Sequence, residues 1–151
     1  MSKFCGAHRA PRAGVDPIVD ASQALDVVQL AMSSPPREEI VVIVLDADHR
    51  GRAIVVVDGT EDDDAVAEVV ERLAEPVRDG PDGGHALVVA SISLGRGPVA
   101  ADADRWLEAS ELADDAGVEL VEWFVVQADG DTIVASCPRD LLAEPPRWPS
   151  G

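Results

Sequence analysis

Apolar residues recur at two spacings along this chain: a three-to-four-residue period in three stretches and short β-branched runs in five. Between residues 20 and 32, Ala21, Leu25, Val28 and Met32 fall on one helical stripe behind Asp20 or Ser22 as the cap. Ser33-Ser34-Pro35-Pro36 ends that helix. Residues 40–46 and 53–58 read as strands, and Asp48-His49-Arg50-Gly51 between them makes a hairpin turn. Thr60 caps a second helix whose first turn holds Glu61, Asp62, Asp63 and Asp64. Val66, Val69, Val70, Leu73 and Val77 form its buried stripe, and Pro76 marks its fraying end. Residues 85–89 read as a buried strand, and residues 102–116 as a helix with Trp106, Ala109, Ala113 and Ala116 on one stripe. Residues 118–126 and 132–136 complete the strands, with Asp129-Gly130 as the turn. This order predicts the α/β class: a single mixed β-sheet domain flanked by helices. Residues 1–17 have no periodicity and are expected to be a disordered leader, residues 18–142 the domain, and residues 143–151 a proline-rich tail.

Composition narrows the function classes. A chain of 151 residues, 46% of them hydrophobic, can bury one ordinary core, built here from Val, Ala, Leu and Ile because Tyr is absent and Phe occurs twice. With 29 acidic against 12 basic residues, the net charge is −17. Such a surface repels phosphate backbones and anionic lipid, so direct nucleic-acid and membrane binding are disfavoured, while a basic protein partner is favoured. The longest apolar runs are strand-sized, and the amino terminus lacks the apolar centre of an export signal. Cys5 and Cys137 are isolated, without a second cysteine at metal spacing, which points to a reducing cytoplasm and incidental thiols.

Candidate chemistry concentrates after residue 89. A strand, a loop with Gly95, Gly97 and Pro98, and an acidic helix start form a common place for a site. Ser91 and Ser93 alternate onto one side of their strand, yet no histidine partner is identifiable for a serine nucleophile. Leu94-Gly95-Arg96-Gly97 lacks the spacing and the Lys-Ser/Thr ending of a phosphate loop. Asp62-Asp63-Asp64 reads as a dipole-stabilised helix start, and Asp46, Asp48 and His49 as turn chemistry, rather than as ion sites. Trp106, Trp123 and Phe124 are expected in the core. Trp148 in the tail has no evident core role and is the candidate for contact with a partner.

The order of elements and several short motifs resemble the RadC-like branch of the JAB/MPN (JAMM) metalloprotease superfamily over residues 20–142. Val44-Leu45-Asp46 followed by His49-Arg50 is similar to that family's leucine-aspartate strand and turn, and Gly59-Thr60 to the pair preceding its first long core helix. The family signature is His-x-His-Pro, six residues, Ser, two residues, Asp. Laid on this chain, its histidines fall on Ser91 and Ser93, its proline on Leu94, its serine on Ala101 and its aspartate on Asp104. Pro98 matches a proline of the intervening loop. The catalytic glutamate falls near Ile54 or Val55, and a later Leu-Asp-His strand corresponds to Val121-Glu122-Trp123.

The resemblance therefore implies a degenerate site made of Ser91, Ser93, Ala101, Asp104 and Val55, with no cofactor. Such hydrolases hold zinc with two imidazoles and a carboxylate, and use a glutamate as proton shuttle. A hydroxyl stays protonated near neutral pH and is a poor zinc donor, so Asp104 alone cannot select the metal. The expected role is that of a pseudoenzyme acting through protein–protein contacts, with homodimerisation among the open arrangements. The alternatives are a hydrolase relocated around Ser91, Ser93, Asp102 or Asp104, and an acidic mimic of nucleic acid.

Overall fold

The computed structural model describes residues 15–58, 64–80, 84–130 and 132–148. Helix α1 (Ala21–Ala31) comes first, followed by strands β1 (Glu39–Leu45) and β2 (Gly51–Asp58). Helix α2 (Ala65–Asp79), strand β3 (Ala86–Leu94) and helix α3 (Asp102–Asp115) come next. Strands β4 (Glu119–Asp129) and β5 (Thr132–Ser136) lead into a short 3₁₀ helix (Pro138–Leu142). The five strands form one sheet in the order β2-β1-β3-β4-β5. Only β3 and β4 run parallel, with α3 as their crossover; the remaining neighbours are antiparallel. The expected α/β class and single mixed sheet flanked by helices are thus what the chain adopts.

The sheet separates two apolar layers. On one face Val41, Ile43, Val88, Ala90 and Phe124 pack against α1 through Ala24, Val27 and Val28. On the other, Ile40, Val42, Leu87, Val89 and Trp123 pack against α2 and α3. Strand β1 is buried along its whole length, which is why, after Glu39, its sequence from Ile40 to Leu45 is a continuous apolar run and not an alternating one. The stripe of α3 lies as expected, with Trp106, Ala109 and Ala113 buried. In α2, Val66, Val69 and Val70 are buried, but Ala74 takes the innermost place and Leu73 and Val77 are only partly covered. That helix also continues past Pro76 to Asp79, because proline forfeits a single helical bond there while Val77 still packs on the sheet layer. The cap expected at Thr60, with Gly59 and the acids at positions 61 to 63, lies outside the described residues.

Local chemistry fixes the ends. Asp20 caps α1 by accepting from the Gln23 amide at 2.9 Å. In the β1–β2 turn, Asp46 accepts from the backbone amides of Asp48 and Arg50 and from Arg52 Nε, at 2.9, 3.0 and 2.8 Å. Burial pushes its carboxyl up, but the Arg50 and Asp48 amides and the Arg52 guanidinium outweigh this and hold it below the usual aspartate range. Asp46 is therefore the turn's acceptor, as the hairpin reading expects.

The carboxyl-terminal stretch corrects one expectation. Residues 144–148 have no regular secondary structure, yet they are packed onto the domain. Trp148 is 7% exposed and belongs to the α1-side core, and its Nε1 donates to Glu122 Oε1 at 3.3 Å. Its ring is spent within this chain, so it is not available as a surface contact. Arg147 follows the same course: its guanidinium lies 4.7 Å from the centroid of the Trp106 ring and donates to Ser110 Oγ and the Leu120 carbonyl at 2.8 and 2.9 Å. At the other end, Pro17 bridges to Arg50 and Ile18 is buried, so the packed body begins by Pro17.

Candidate functional site

Parallel strands β3 and β4 end beside the starts of α2 and α3, and a cleft of about 280 Å³ opens there. Open α/β sheets place ligand crevices at the carboxyl ends of parallel strands, where helix starts leave backbone groups exposed. Strand β3 carries Ser91 and Ser93 on the face turned to α2 and α3, and both line the cleft. Gly95, at φ +80°, then turns the chain out of the strand, a left-handed conformation that glycine adopts without a Cβ penalty. Ile40, Val66, Trp123 and Val125 supply the apolar floor, and Arg96, Val99 and Asp102 the rim.

The polar groups here hold one another. Trp123 Nε1 donates to Ser91 Oγ at 2.9 Å, so the indole occupies the side of the serine that faces β4. Arg96 Nη2 donates to Glu38 Oε1 at 2.8 Å and lies 3.5 Å from Ser93 Oγ, while the Leu94 amide donates to the other Glu38 oxygen. Asp102 accepts from the Val99 amide at 2.9 Å and from Arg105 Nη1 at 3.0 Å. That carboxylate closes the turn into α3 and anchors an (i, i+3) pair with Arg105.

The five residues of the expected degenerate site are only partly brought together. Ser91 and Ser93 meet in the cleft. Asp104 does not: it is exposed on α3, and Asp102, 7% exposed, lines the cleft in its place. Two residues turn a helix by about 200°, so a carboxylate at 104 points away from whatever 102 faces. Ala101 is exposed in the turn before α3 and is not part of the lining. Val55 faces the α2 layer from β2 opposite Val42, away from the residues that line the cleft. Trp123 is buried in the α2- and α3-side core, as expected of an aromatic in an apolar run, and lines the cleft.

This donor set does not fit a zinc ion. Two hydroxyls, one of them committed to an indole N–H, stand beside a carboxylate committed to an amide and a guanidinium, and among the described residues no imidazole is near. Of the described histidines, His85 precedes β3 and His49 sits in the β1–β2 turn, both at the opposite end of the sheet. Ser91 lies six residues beyond His85 along extended chain, about 20 Å away at the strand rise. Among the described residues no cluster of three His, Cys, Asp or Glu side chains could hold a metal. A general base for Ser91 or Ser93 is likewise not supplied by those two histidines.

A second polar cluster lies on the opposite face, and the sequence reading missed it. Glu122, fully buried, accepts from Arg139 Nε and Nη2 at 3.2 and 3.1 Å, and from Trp148. The Glu122 carboxylate beside Arg139 raises the guanidinium's already high pKa. Burial pushes the neighbouring Cys137 thiol up to about 12, with the Glu122 and Asp140 carboxylates adding to the shift. The available signal was a single acid, Glu122, inside the otherwise apolar run from 120 to 126. Glu39, also fully buried, accepts from the Ser33 amide and hydroxyl at 2.7 and 2.8 Å.

Among the described residues no helix is long and apolar enough to cross a membrane. The chain matches no protein-family model. It matches no curated protein either.

Proposed function

We propose that this chain is a catalytically inactive JAB/MPN-like domain that works in the cytoplasm through contact with another protein. The observation that carries this reading is the 2.9 Å bond from Trp123 to Ser91, which joins the residues at two of the family's histidine positions to each other. A hydroxyl that accepts from an indole, in a cleft whose described lining holds no imidazole, is in this reading a structural group. The contact half of the reading rests on the shape of the cleft: an apolar floor of Ile40, Val66 and Val125, and an apolar lip in Val99, which is 52% exposed. Such a concavity suits an inserted apolar side chain, with the surrounding acidic surface favouring a basic partner. The isolated cysteines of the sequence support the cytoplasmic placement.

The test is a pulldown of bound protein from the native cell extract with three baits. Wild type and a Ser91→Ala, Ser93→Ala variant should retain the same partner, whereas Val99→Asp should lose it. Loss of the partner from a correctly folded serine variant would show that the two hydroxyls recognise something, and the contact reading of the cleft would fail.

A further inference from the structure

Strand β2 is an edge of the sheet, and among the described residues it pairs with β1 alone. An edge strand presents a row of unpaired N–H and C=O groups, and proteins usually blunt it with charges, proline or a covering loop. From Arg52 to Asp58 this one is β-branched and apolar in the middle, with charge only at its two ends. Ile54 is 50% exposed and Val56 42%. Both face the α1 side, since Val55 and Val57 face the other layer. Next to them lies a groove of about 360 Å³ between β2 and α1, lined by Val27, Ala31 and Ile43 and bordered by Leu30, which is 75% exposed.

We propose that β2 pairs antiparallel with β2 of a second copy of this chain, about a two-fold axis through Val55. The strand is self-complementary in that register. Antiparallel partners about position 55 have numbers that sum to 110, which sets Arg52 opposite the partner's Asp58 and Ile54 opposite the partner's Val56. Val55 stands opposite its own copy. On the α1 side every cross-strand pair is therefore opposite in charge or apolar on both sides. Ile54 and Val56 of the two copies form one ladder along the mouths of both grooves. Arg52 already donates to Asp46, and Asp58 lies 3.5 Å from Arg37, so the end charges are held near the edge. Each copy carries a net charge of −17, and this strand is a place where opposite charges meet while the two bodies approach. The other edge does not select a register in this way: β5 is five residues long and carries no charge. A C2 contact of this kind extends the sheet from five strands to ten without a new loop.

Sedimentation velocity of the full chain over a wide concentration range tests the pairing, with circular dichroism confirming the fold of each variant. Wild type should show a reversible dimer. Ile54→Lys should weaken it by about tenfold or more, because two lysines enter the apolar ladder. Arg52→Glu and Asp58→Arg should each weaken it a few-fold, and the double variant should recover wild-type affinity, a signature particular to this register. With Cys5 and Cys137 replaced by serine, Val55→Cys should form an intermolecular disulfide under mild oxidation. Val134→Lys on β5 should leave the dimer intact. A wild-type monomer at every concentration would overturn the proposal. So would a dimer indifferent to Ile54→Lys, or one lost with Val134→Lys. A dimer that forms only after deletion of residues 1–14 would assign the edge to this chain's own amino-terminal segment, and would overturn it as well.

Discussion

Glu122 and Trp123 are neighbours on β4 and point to opposite faces of the sheet, into two polar environments of different kinds. Glu122 enters a sealed layer where Arg139 and Trp148 satisfy it, and Cys137 lies close by. Trp123 enters an open cleft and bonds Ser91. In the sealed layer a lost partner cannot be replaced by water, so each bond there carries the full cost of an unmet charge. In the cleft, water is at hand and the same loss is cheap. On this ground the cleft, although it looks like a centre for chemistry, should contribute little to stability, while the cluster on the reverse face should hold the carboxyl-terminal stretch in place.

The largest expected effect breaks the sealed cluster. Arg139→Ala leaves Glu122 buried without its counter-charge and should cost about 3–5 kcal/mol in denaturant unfolding. Replacing both members at once, with Glu122→Leu and Arg139→Met, should cost far less, since the buried charge goes with its partner. If the double replacement were as damaging as the single one, the cluster would act through packing and not through charge.

Alkaline pH offers a second route into the same cluster. The Cys137 thiol has its pKa raised from 9.0 to about 12 in the folded chain. Above pH 9 the unfolded thiol ionises while the folded one does not, so this group's contribution to stability should be complete below 9 and fall as pH rises toward 12. In a Cys5→Ser background, native protein at pH 8 should react slowly with a thiol reagent, and unfolding should release one fast-reacting thiol. Fast reaction of the native chain would mean that the cluster opens readily.

How much of this contrast could be read from the sequence follows from the range of the interactions. Periodic burial is local, so the stripe Trp106, Ala109 and Ala113, the apolar run from Ile40 to Leu45 and the pairing of Ser91 with Ser93 on one face were legible. The bonds that build the sealed cluster join residues 17 and 26 positions apart, and nothing in spacing links an isolated Glu122 to Arg139 or to Trp148. Trp148 follows two prolines, and without a helical or alternating period its burial leaves no mark on the pattern. Asp104 was misplaced for a geometric reason: counting along the chain put it in the site, while the turn of α3 gives that place to Asp102.

The smallest expected effect belongs to the cleft. Ser91→Ala removes the acceptor for Trp123 Nε1, which water from the open cleft can replace, and should cost about 1 kcal/mol or less. A loss as large as that of Arg139→Ala would show the cleft to be as closed as the opposite face.

The central claim is that the polar groups of the cleft serve one another and hold no catalytic metal. Calorimetric titration of the purified full chain with zinc, backed by elemental analysis of the same preparation, tests it most directly. Zinc should be absent at stoichiometric level from the purified protein, and the titration should show no tight site, with Ser91→Ala, Ser93→Ala indistinguishable from wild type. One tightly held zinc per chain, lost in that serine variant, would contradict the account.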